Sequence, residues 1–293
     1  MPKTGIVTDS NSGILPEQAE EMGLFVVPMP FYIDGVCYQE NVDLPREEFF
    51  RLMAAGAEIS TSAPAPLTVT DIWDKALAIY DEVLYMPMSS GLSGAYALAA
   101  VLAKEGAYAG RVFVVDHGRA ATPLHRSILD AQELLAQGLS AGEVQRLLEE
   151  QRDNFMIYIA VDELQHLQRG GRISATAAKL GTILNMKPVL QFSTGTLDVY
   201  AKVRGKKRAR QTMIEAVRNE LAHDYKAAYE AGEVYIMTAG SADAAETADW
   251  VAQVREAFAP LDVLYDDLPL SLSTHIGHGG LGIACSKKIK LDK

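Results

Sequence analysis

The sequence predicts a two-domain α/β protein in which each domain is built on its own β-sheet. The chain has 293 residues, about twice the length of a typical domain. Short apolar runs alternate with longer helical patterns, as expected for βα units around a sheet. The hydrophobic fraction of 48% with 22% charged residues is typical of a folded chain, and it provides enough apolar side chains for two cores.

The first domain is predicted to span residues 1–155 and to contain several βα units. Its predicted strands are Ile6–Thr8, Phe25–Ile33, Val36–Tyr38, Val83–Met86 and Val112–Val115. Its predicted helices are Pro16–Met22, Arg46–Ala55, Val69–Tyr80, a helix that ends at Lys104, and one that opens with the capping box Ser140–Glu143 and reaches Arg152. The dipeptide Asp34-Gly35 between two apolar runs predicts a hairpin.

The second domain is predicted to span residues 156–293. Its predicted strands are Met156–Val161, Pro188–Phe192, Leu197–Val203, Val234–Met237, Val263–Tyr265 and Gly282–Cys285. Its predicted helices are one after Arg172, the amphipathic Lys206–Leu221, and Ala244–Phe258.

Charge and hydropathy exclude several functional classes. The net charge of −11 opposes general binding to nucleic acid or to anionic lipid headgroups. There is no run of about 18 apolar residues to span a membrane, and residues Met1–Thr4 lack the pattern of a signal peptide. We therefore expect a cytoplasmic protein in which Cys37 and Cys285 are reduced thiols, although a single disulfide between them stays open at this point.

Three polar loops are candidate anion sites, because each lies near a predicted strand end or helix start. They are Ser60–Ser62, Ser89–Gly94 and Thr274–Gly280. Backbone N–H groups converge at helix N-termini, and hydroxyl groups add further donors for a carboxylate or phosphate. The alternative is that these serines and threonines only cap helices.

The same loops resemble successive signatures of the DegV family. The matching segments follow one another in order from residue 8 to 282. They are Thr8-Asp9-Ser10, Thr61–Pro66, Ser89–Tyr96, Leu167–Ile173, Lys187–Leu190 with Gly195 and Lys202–Arg204, and His275–Gly279. Each segment alone is a weak signal, and their ordered occurrence over nearly the whole chain is a strong one.

This resemblance implies a fold and a ligand. The implied fold has an N-terminal Rossmann-like domain with a parallel sheet and helices, and a C-terminal α/β domain with a mixed sheet. One long-chain fatty acid, such as palmitate, would be buried between or beside the domains. Carried over to this chain, its carboxylate would be held by Thr61, Ser93 and His275. The secondary candidates at the head group are Ser62, Gly94 and Arg172.

The resemblance also implies a role in lipid transport and fatty acid metabolism. A separate fatty acid kinase would phosphorylate the presented acid, and the acyl-phosphate would feed phospholipid synthesis. The chain itself would be non-catalytic and would need no cofactor or metal; it has no Walker-type loop for ATP. Arg172, Arg204 and Lys207 are the candidate contacts to the partner or to phosphate. The alternatives without a partner are that Arg172 fixes a turn by a salt bridge and that the basic stretch of residues 202–210 is a solvated helix face.

The sequence departs from the family pattern at a few positions. Ala63 and Ala65 stand where the family usually has Gln and Ser, His117 stands where it has Ser, and His278 stands where it has Pro. These departures leave the acyl chain length, the oligomeric state and the identity of the partner open.

Two other interpretations lack the sequence features that they need. A Ser93–His275 hydrolase lacks the Gly-x-Ser-x-Gly elbow, and a metal site at His275 and His278 lacks a supporting carboxylate or cysteine. The remaining alternative is an enzyme that acts on a small phosphorylated or carboxylated metabolite in the same cleft.

Overall fold

The structure is a computed structural model that describes residues 2–174, 186–193 and 195–290. The chain divides into two compact units. The first unit extends to Arg152 and also includes Pro269–Ser271, and the second runs from Asp153 to Leu268 and resumes at Leu272. The predicted α/β class, with a parallel sheet and a mixed sheet, is confirmed.

The first unit alternates strands and helices as predicted. Its strands are β1 (Thr4–Asp9), β2 (Phe25–Val27), β3 (Pro30–Ile33), β4 (Val36–Gln39), β5 (Ile59–Thr61), β6 (Glu82–Met86) and β7 (Val112–Val114). Its helices are α1 (Pro16–Glu21), α2 (Arg46–Ala54), α3 (Pro66–Leu77), α4 (Ala95–Leu102), α5 (Thr122–Ala136) and α6 (Ala141–Glu150). Two 3₁₀ turns cover Ser10–Ser12 and Gly106–Tyr108.

The main sheet of this unit is parallel, with the strand order β2-β1-β6-β7. Every residue of β6 is buried, as expected for a central strand covered on both faces. Helices α3 and α4 share a hydrophobic core with alternate residues of the parallel strands. Helices α5 and α6 pack on β1, β6 and β7. Trp73 of α3 is fully buried in this core, edge-on to Tyr85 of β6.

The predicted strand Phe25–Ile33 is wrong as a single element. β2 ends at Val27 and joins the parallel sheet, whereas β3 starts at Pro30 and forms a separate antiparallel sheet in the order β4-β3-β5. Pro28 and Pro30 lack the N–H that a continuous ladder would use, so the apolar run is divided. The Asp34-Gly35 hairpin is confirmed, because both residues have positive φ and Ile33 pairs with Val36.

Helix α5 was not predicted. It is 15 residues long, and nine of them are buried, including the polar Thr122, His125, Ser127 and Asp130. Polar side chains on the buried side interrupt the apolar periodicity by which amphipathic helices are found.

The second unit contains a six-stranded mixed sheet in the order β10-β9-β8-β13-β11-β12. Its strands are β8 (Phe155–Ala160), β9 (Met186–Phe192), β10 (Asp198–Arg204), β11 (Val234–Gly240), β12 (Val263–Asp267) and β13 (Leu281–Lys287). Its helices are α7 (Gln165–Gly170), α8 (Lys206–Ala222), α9 (Lys226–Glu230) and α10 (Ala244–Phe258). A further helix, α11 (Leu270–Ile276), begins with residues of the first unit.

The β11–β12 pair is parallel, and the other pairs are antiparallel. Helix α8 buries Met213, Val217 and Leu221 as predicted, and Trp250 of α10 is fully buried in the same core. The helix predicted after Arg172 lies outside the described residues. Within the described part of the chain, no helix is long and apolar enough to cross a membrane.

Candidate functional site

Polar loops gather at the carboxyl ends of β1, β6 and β7 in the first unit. They contain Asp9–Ser12, Ser89–Gly94 and Asp116–Arg119. In open α/β sheets this is the edge at which ligands bind, because the loops that follow neighbouring parallel strands meet there. The polar side chains of this edge are therefore the starting point for locating a site.

Asp9 ties the first loop to the second. Its fully buried carboxyl accepts hydrogen bonds from the Asn11 N–H (3.0 Å) and from the Met88 N–H (2.8 Å). Burial disfavours the charged form and raises the pKa of Asp9 to about 7, although these hydrogen bonds oppose the shift. Asp9 thus fixes the loop at the end of β6 that leads to Ser89–Gly94.

A second buried acid, Glu40, lies near Asp9, and no sequence motif indicated it. The Glu40 carboxyl is 2% exposed and accepts hydrogen bonds from Ser10 Oγ (2.9 Å) and from the Leu270 N–H. Ser271 Oγ lies 2.7 Å from Glu40 Oε2 and 2.6 Å from Asn11 Oδ1. Burial raises the pKa of Glu40. This network holds Leu270 and Ser271 within the first unit.

Ser93 opens helix α4 at the end of the Ser89–Gly94 loop. Its half-buried hydroxyl accepts a hydrogen bond from the Ala95 N–H (3.1 Å), and its own N–H donates to the Ser89 carbonyl (3.1 Å). A hydroxyl that accepts still has its own hydrogen to donate. At Gly94 a Cβ atom would meet nothing within 4 Å, so the start of α4 is open to a ligand.

An ion pair between Arg152 and Asp116 stabilises the Ser89–Gly94 loop. Arg152 pairs with Asp116 and donates to Ser90 Oγ (3.0 Å), and Ser90 Oγ donates to Asp116 Oδ2 (2.9 Å). Ser90 is therefore used in holding the loop, whereas Ser93 stands at its helical end.

His117, one of the departures from the family pattern, bridges two loops. Its Nε2 donates to the Pro87 carbonyl (2.7 Å), and its Nδ1 accepts from the Arg119 N–H (3.0 Å). Burial, together with the Arg119 guanidinium, lowers the pKa of His117 to about 3. The ring is therefore neutral, and it fixes the β6 and β7 loops to each other.

Thr61 lies at the end of strand β5, whereas the sequence analysis placed it in a polar loop. It is half-buried and pairs with Phe31 of β3. The next residue, Ser62, is exposed, and its hydroxyl donates to the Ala63 carbonyl (3.0 Å). The antiparallel ladder thus sets the position of Thr61, and Ser62 belongs to the irregular segment after it.

His275 belongs to the second unit and lies on helix α11, whereas the sequence placed it in a glycine-rich loop. Its ring packs against Gly170 so closely that a Cβ atom at that position would overlap the Nδ1 atom. Burial, followed by the charge of Arg172 and by His166, lowers the pKa of His275 to about 4. The imidazole is therefore neutral at pH 7 and is suited to donate one N–H to an anion. Arg172 itself donates to the Gly170 carbonyl.

Ser241 anchors the glycine-rich turn that follows α11, and the sequence did not reveal it either. The fully buried Ser241 Oγ donates to the Gly277 carbonyl (2.7 Å) and accepts from the Gly280 N–H (3.0 Å). Its backbone forms two more hydrogen bonds, with Gly279 and Gly280. His278 is exposed in this turn and lies 3.2 Å from Asp243.

The basic stretch of residues 202–210 divides into paired and exposed groups. Lys206 and Arg210 pair with Glu246 (2.7 and 3.0 Å), and Arg210 is mostly buried. Arg204 at the end of β10 and Lys207 on α8 are exposed. Arg204 and Lys207 are therefore among the exposed cations of the stretch, which also include Lys202, Lys206 and Arg208.

Neither cysteine forms a disulfide. Cys37 is exposed and Cys285 is buried, and both are free thiols. Across residues 2–174, 186–193 and 195–290, no group of three or more His, Cys, Asp or Glu side chains is arranged to hold a metal.

Fold and loops together define the class of the protein. It is an α/β protein with a parallel sheet, a mixed sheet and a small antiparallel sheet. A model of uncharacterised proteins of the DegV family matches residues 3–288. The chain belongs to the DegV family, as its motifs predicted.

Similar proteins agree with this assignment. A DegV domain-containing protein from Deinococcus radiodurans is 32% identical over 283 residues, which cover 95% of this chain and 96% of the relative. A fatty-acid-binding DegV family protein from Thermus thermophilus has a similar structure, with a TM-score of 0.85 and 30% identity over 97% of this chain and 99% of that one. DegV from Bacillus subtilis, also a fatty-acid-binding protein, matches with a TM-score of 0.83 and 25% identity over 98% and 100% of the two chains.

Proposed function

We propose that this protein binds one long-chain fatty acid and presents its carboxylate to a partner fatty acid kinase. The observation that carries the proposal is the match over nearly the full length to the fatty-acid-binding DegV protein of Thermus thermophilus, at 30% identity and a TM-score of 0.85. The geometry of the candidate donors is consistent with this function, as the following points describe.

The proposed head-group donors are uncharged. Thr61 and Ser93 offer hydroxyl hydrogens from the first unit, and His275 of the second unit is neutral because its pKa is lowered to about 4. Hydroxyl and N–H groups bind a carboxylate through hydrogen bonds without neutralising its charge. A carboxylate held in this way stays a nucleophile, which is what transfer of a phosphoryl group to it requires.

The acyl chain supplies most of the affinity in this proposal. Each buried methylene contributes about 0.8 kcal/mol before the costs of ordering and association are subtracted. The head-group donors therefore select for a free acid and orient it, and they contribute less to the total binding free energy than the chain.

Partner docking is proposed to use exposed cations of the second unit. Arg204 and Lys207 are exposed on neighbouring elements, and Arg172 is half-buried at the end of α7. Positive groups of this kind attract an acidic partner surface or the phosphate of the nucleotide that it carries. In a protein with a net charge of −11, they are the groups most suited to this contact.

Native mass spectrometry of the purified protein is the first test. We expect one bound molecule with the mass of a long-chain fatty acid, and we expect Thr61→Val combined with Ser93→Ala to lose it while the circular dichroism spectrum stays unchanged. Thr70→Val is the matched control, because the Thr70 hydroxyl is used within α3, donating to the Pro66 carbonyl (3.2 Å). Stoichiometric lipid in the folded double variant would contradict the head-group assignment, and protein that refuses added long-chain acids would contradict the function.

Kinase presentation needs a separate assay. Acid-loaded protein, mixed with a bacterial fatty acid kinase and ATP, is expected to yield acyl-phosphate. Arg204→Ala with Lys207→Ala should slow this step without changing the amount of bound acid. Unchanged acyl-phosphate formation in this variant would remove the two residues from the docking surface.

A further inference from the structure

Two imidazoles of the second unit are held by a reciprocal arrangement with two glycines. His275 of α11 packs against Gly170, the last residue of α7, and His166 of α7 packs against Gly277, which follows α11. A Cβ atom at Gly277 would lie 2.8 Å from the His166 ring. Each histidine ring therefore occupies the space where a side chain would stand if the opposite glycine were any other residue. This arrangement fixes α7 and the end of α11 against each other.

The turn at Gly277 is itself rigidly held, so the His166 ring packs on a fixed surface. Gly277 has φ of +81°, its N–H donates to the Ser273 carbonyl (2.8 Å), and its carbonyl accepts from Ser241 Oγ (2.7 Å). The turn begins two residues after His275. The His166 ring therefore packs against the backbone two residues after His275.

We propose that His166 is a positioning residue for His275, holding the His275 imidazole in its place against Gly170. Neither the family motifs nor the sequence patterns singled out His166. The consequence for acid binding rests on the proposed function, in which His275 donates to the carboxylate. His166 would act through His275, by excluding water from the space between α7 and the Gly277 turn.

The charged groups around the pair are consistent with this role. Arg172 and His166 both lower the pKa of His275, after the larger effect of burial. The pKa of His166 is itself lowered by burial and by Arg169, while Glu163 acts in the opposite direction. Loss of the His166 ring exposes His275 to water and removes one of these groups, and both changes raise the pKa of His275.

An NMR titration of the histidine side chains tests the proposal on the protein without ligand. The signal of His275, assigned by its loss in His275→Asn, should titrate near pH 4 in the wild type. In His166→Ala it should move toward the ordinary value near 6.5. His166→Phe keeps a ring over Gly277 but loses the electrostatic effect of His166, so the His275 titration should move less than in His166→Ala. His223→Ala is the matched control, because His223 is exposed at the end of α8.

Binding measurements follow the same variants. If His275 contributes one hydrogen bond to the carboxylate, its misplacement in His166→Ala should weaken long-chain acid binding about tenfold, and His166→Phe should restore it. A His275 titration that does not move in His166→Ala overturns the proposal. A shifted titration with unchanged affinity supports the positioning and refutes His275 as a head-group donor. Wild-type protein that binds no acid refutes the proposed function, while the titration still decides the role of His166.

Discussion

Replacement of Glu40 gives the sharpest prediction, because its carboxyl accepts several hydrogen bonds in a buried network. The Ser271 hydroxyl has one hydrogen, yet its oxygen lies within 2.7 Å of both Glu40 Oε2 and Asn11 Oδ1. If Ser271 donates to Asn11, the short contact to Glu40 requires a proton on Glu40. The raised pKa that burial gives to Glu40 agrees with this count. Burial therefore shifts Glu40 toward its protonated form.

The magnitude follows from the groups that lose their partner. In Glu40→Ala the buried Leu270 N–H and the Ser10 hydroxyl lose their acceptor, whereas Ser271 keeps Asn11. At about 1–3 kcal/mol for each orphaned donor, the free energy of unfolding of the first unit should fall by about 2–6 kcal/mol. Glu40→Gln keeps an oxygen for Leu270 and an N–H in place of the proton, so it should cost about 1 kcal/mol or less.

The pH dependence has a defined sign. A pKa raised in the folded state means that folding favours the protonated acid, so the contribution of Glu40 to stability is complete below its ordinary value of 4.5 and is lost as the pH rises through the raised value. Asp9, with its pKa of about 7, acts in the same direction. Stability should therefore fall in wild type as the pH rises above about 4, the ordinary pKa of both acids, fall less in Glu40→Gln, and fall least when Asp9→Asn is added.

Urea denaturation followed by tryptophan fluorescence measures this directly. The chain has two tryptophans, so Trp250→Phe leaves Trp73, fully buried in the first unit, as the reporter. Titrations from about pH 5 to about pH 9 give the stability curve of each variant. If Glu40→Gln is as unstable as Glu40→Ala at about pH 6, Glu40 is ionised in the native protein, and the Asn11 amide nitrogen faces Ser271 instead.

Three further predictions concern single elements of the two units. Ser140→Ala removes the hydroxyl of the α6 capping box and should lower the stability of the first unit by about 1 kcal/mol, as reported by Trp73 fluorescence in urea. Met213→Ala opens a cavity in the core of the second unit and should cost about 2–5 kcal/mol, measured with Trp250 as reporter; a change below about 1 kcal/mol would show that the core collapses around it. His117 should show no titration by NMR between about pH 5 and pH 8, because its pKa of about 3 keeps it neutral there, and its stabilising effect should be lost only as the pH falls below 6.5 toward that value; a normal titration would contradict the two-loop bridge.

Local signals explain why much of the fold was predictable. The capping box at Ser140, the Asp34-Gly35 hairpin and the helix Ala244–Phe258 each depend on residues within a few positions of one another. Patterns of this kind report the local backbone directly. They also placed Ser93 in the loop just before a helix, where the structure has it.

Contacts between distant parts of the chain explain what could not be predicted. Glu40 and Ser271 are 231 positions apart, and no local pattern connects them. His275 was assigned to a loop because four glycines lie at positions 277–282, whereas Gly277 ends the helix before it. His166 became apparent only once the space above Gly277 was known. In each case a single sequence does not show which distant segment of the chain packs against the side chain.

The assignment of Pro269–Ser271 to the first unit has a consequence for biosynthesis. A ribosome that has finished residue 152 has made every strand of the parallel sheet. It has not yet made Leu270 and Ser271, whose N–H and hydroxyl groups form hydrogen bonds with the buried Glu40 carboxyl. Until more than a hundred further residues have been added, Glu40 cannot form its hydrogen bonds with Leu270 and Ser271. The protein therefore completes its first half only when it has nearly completed its second.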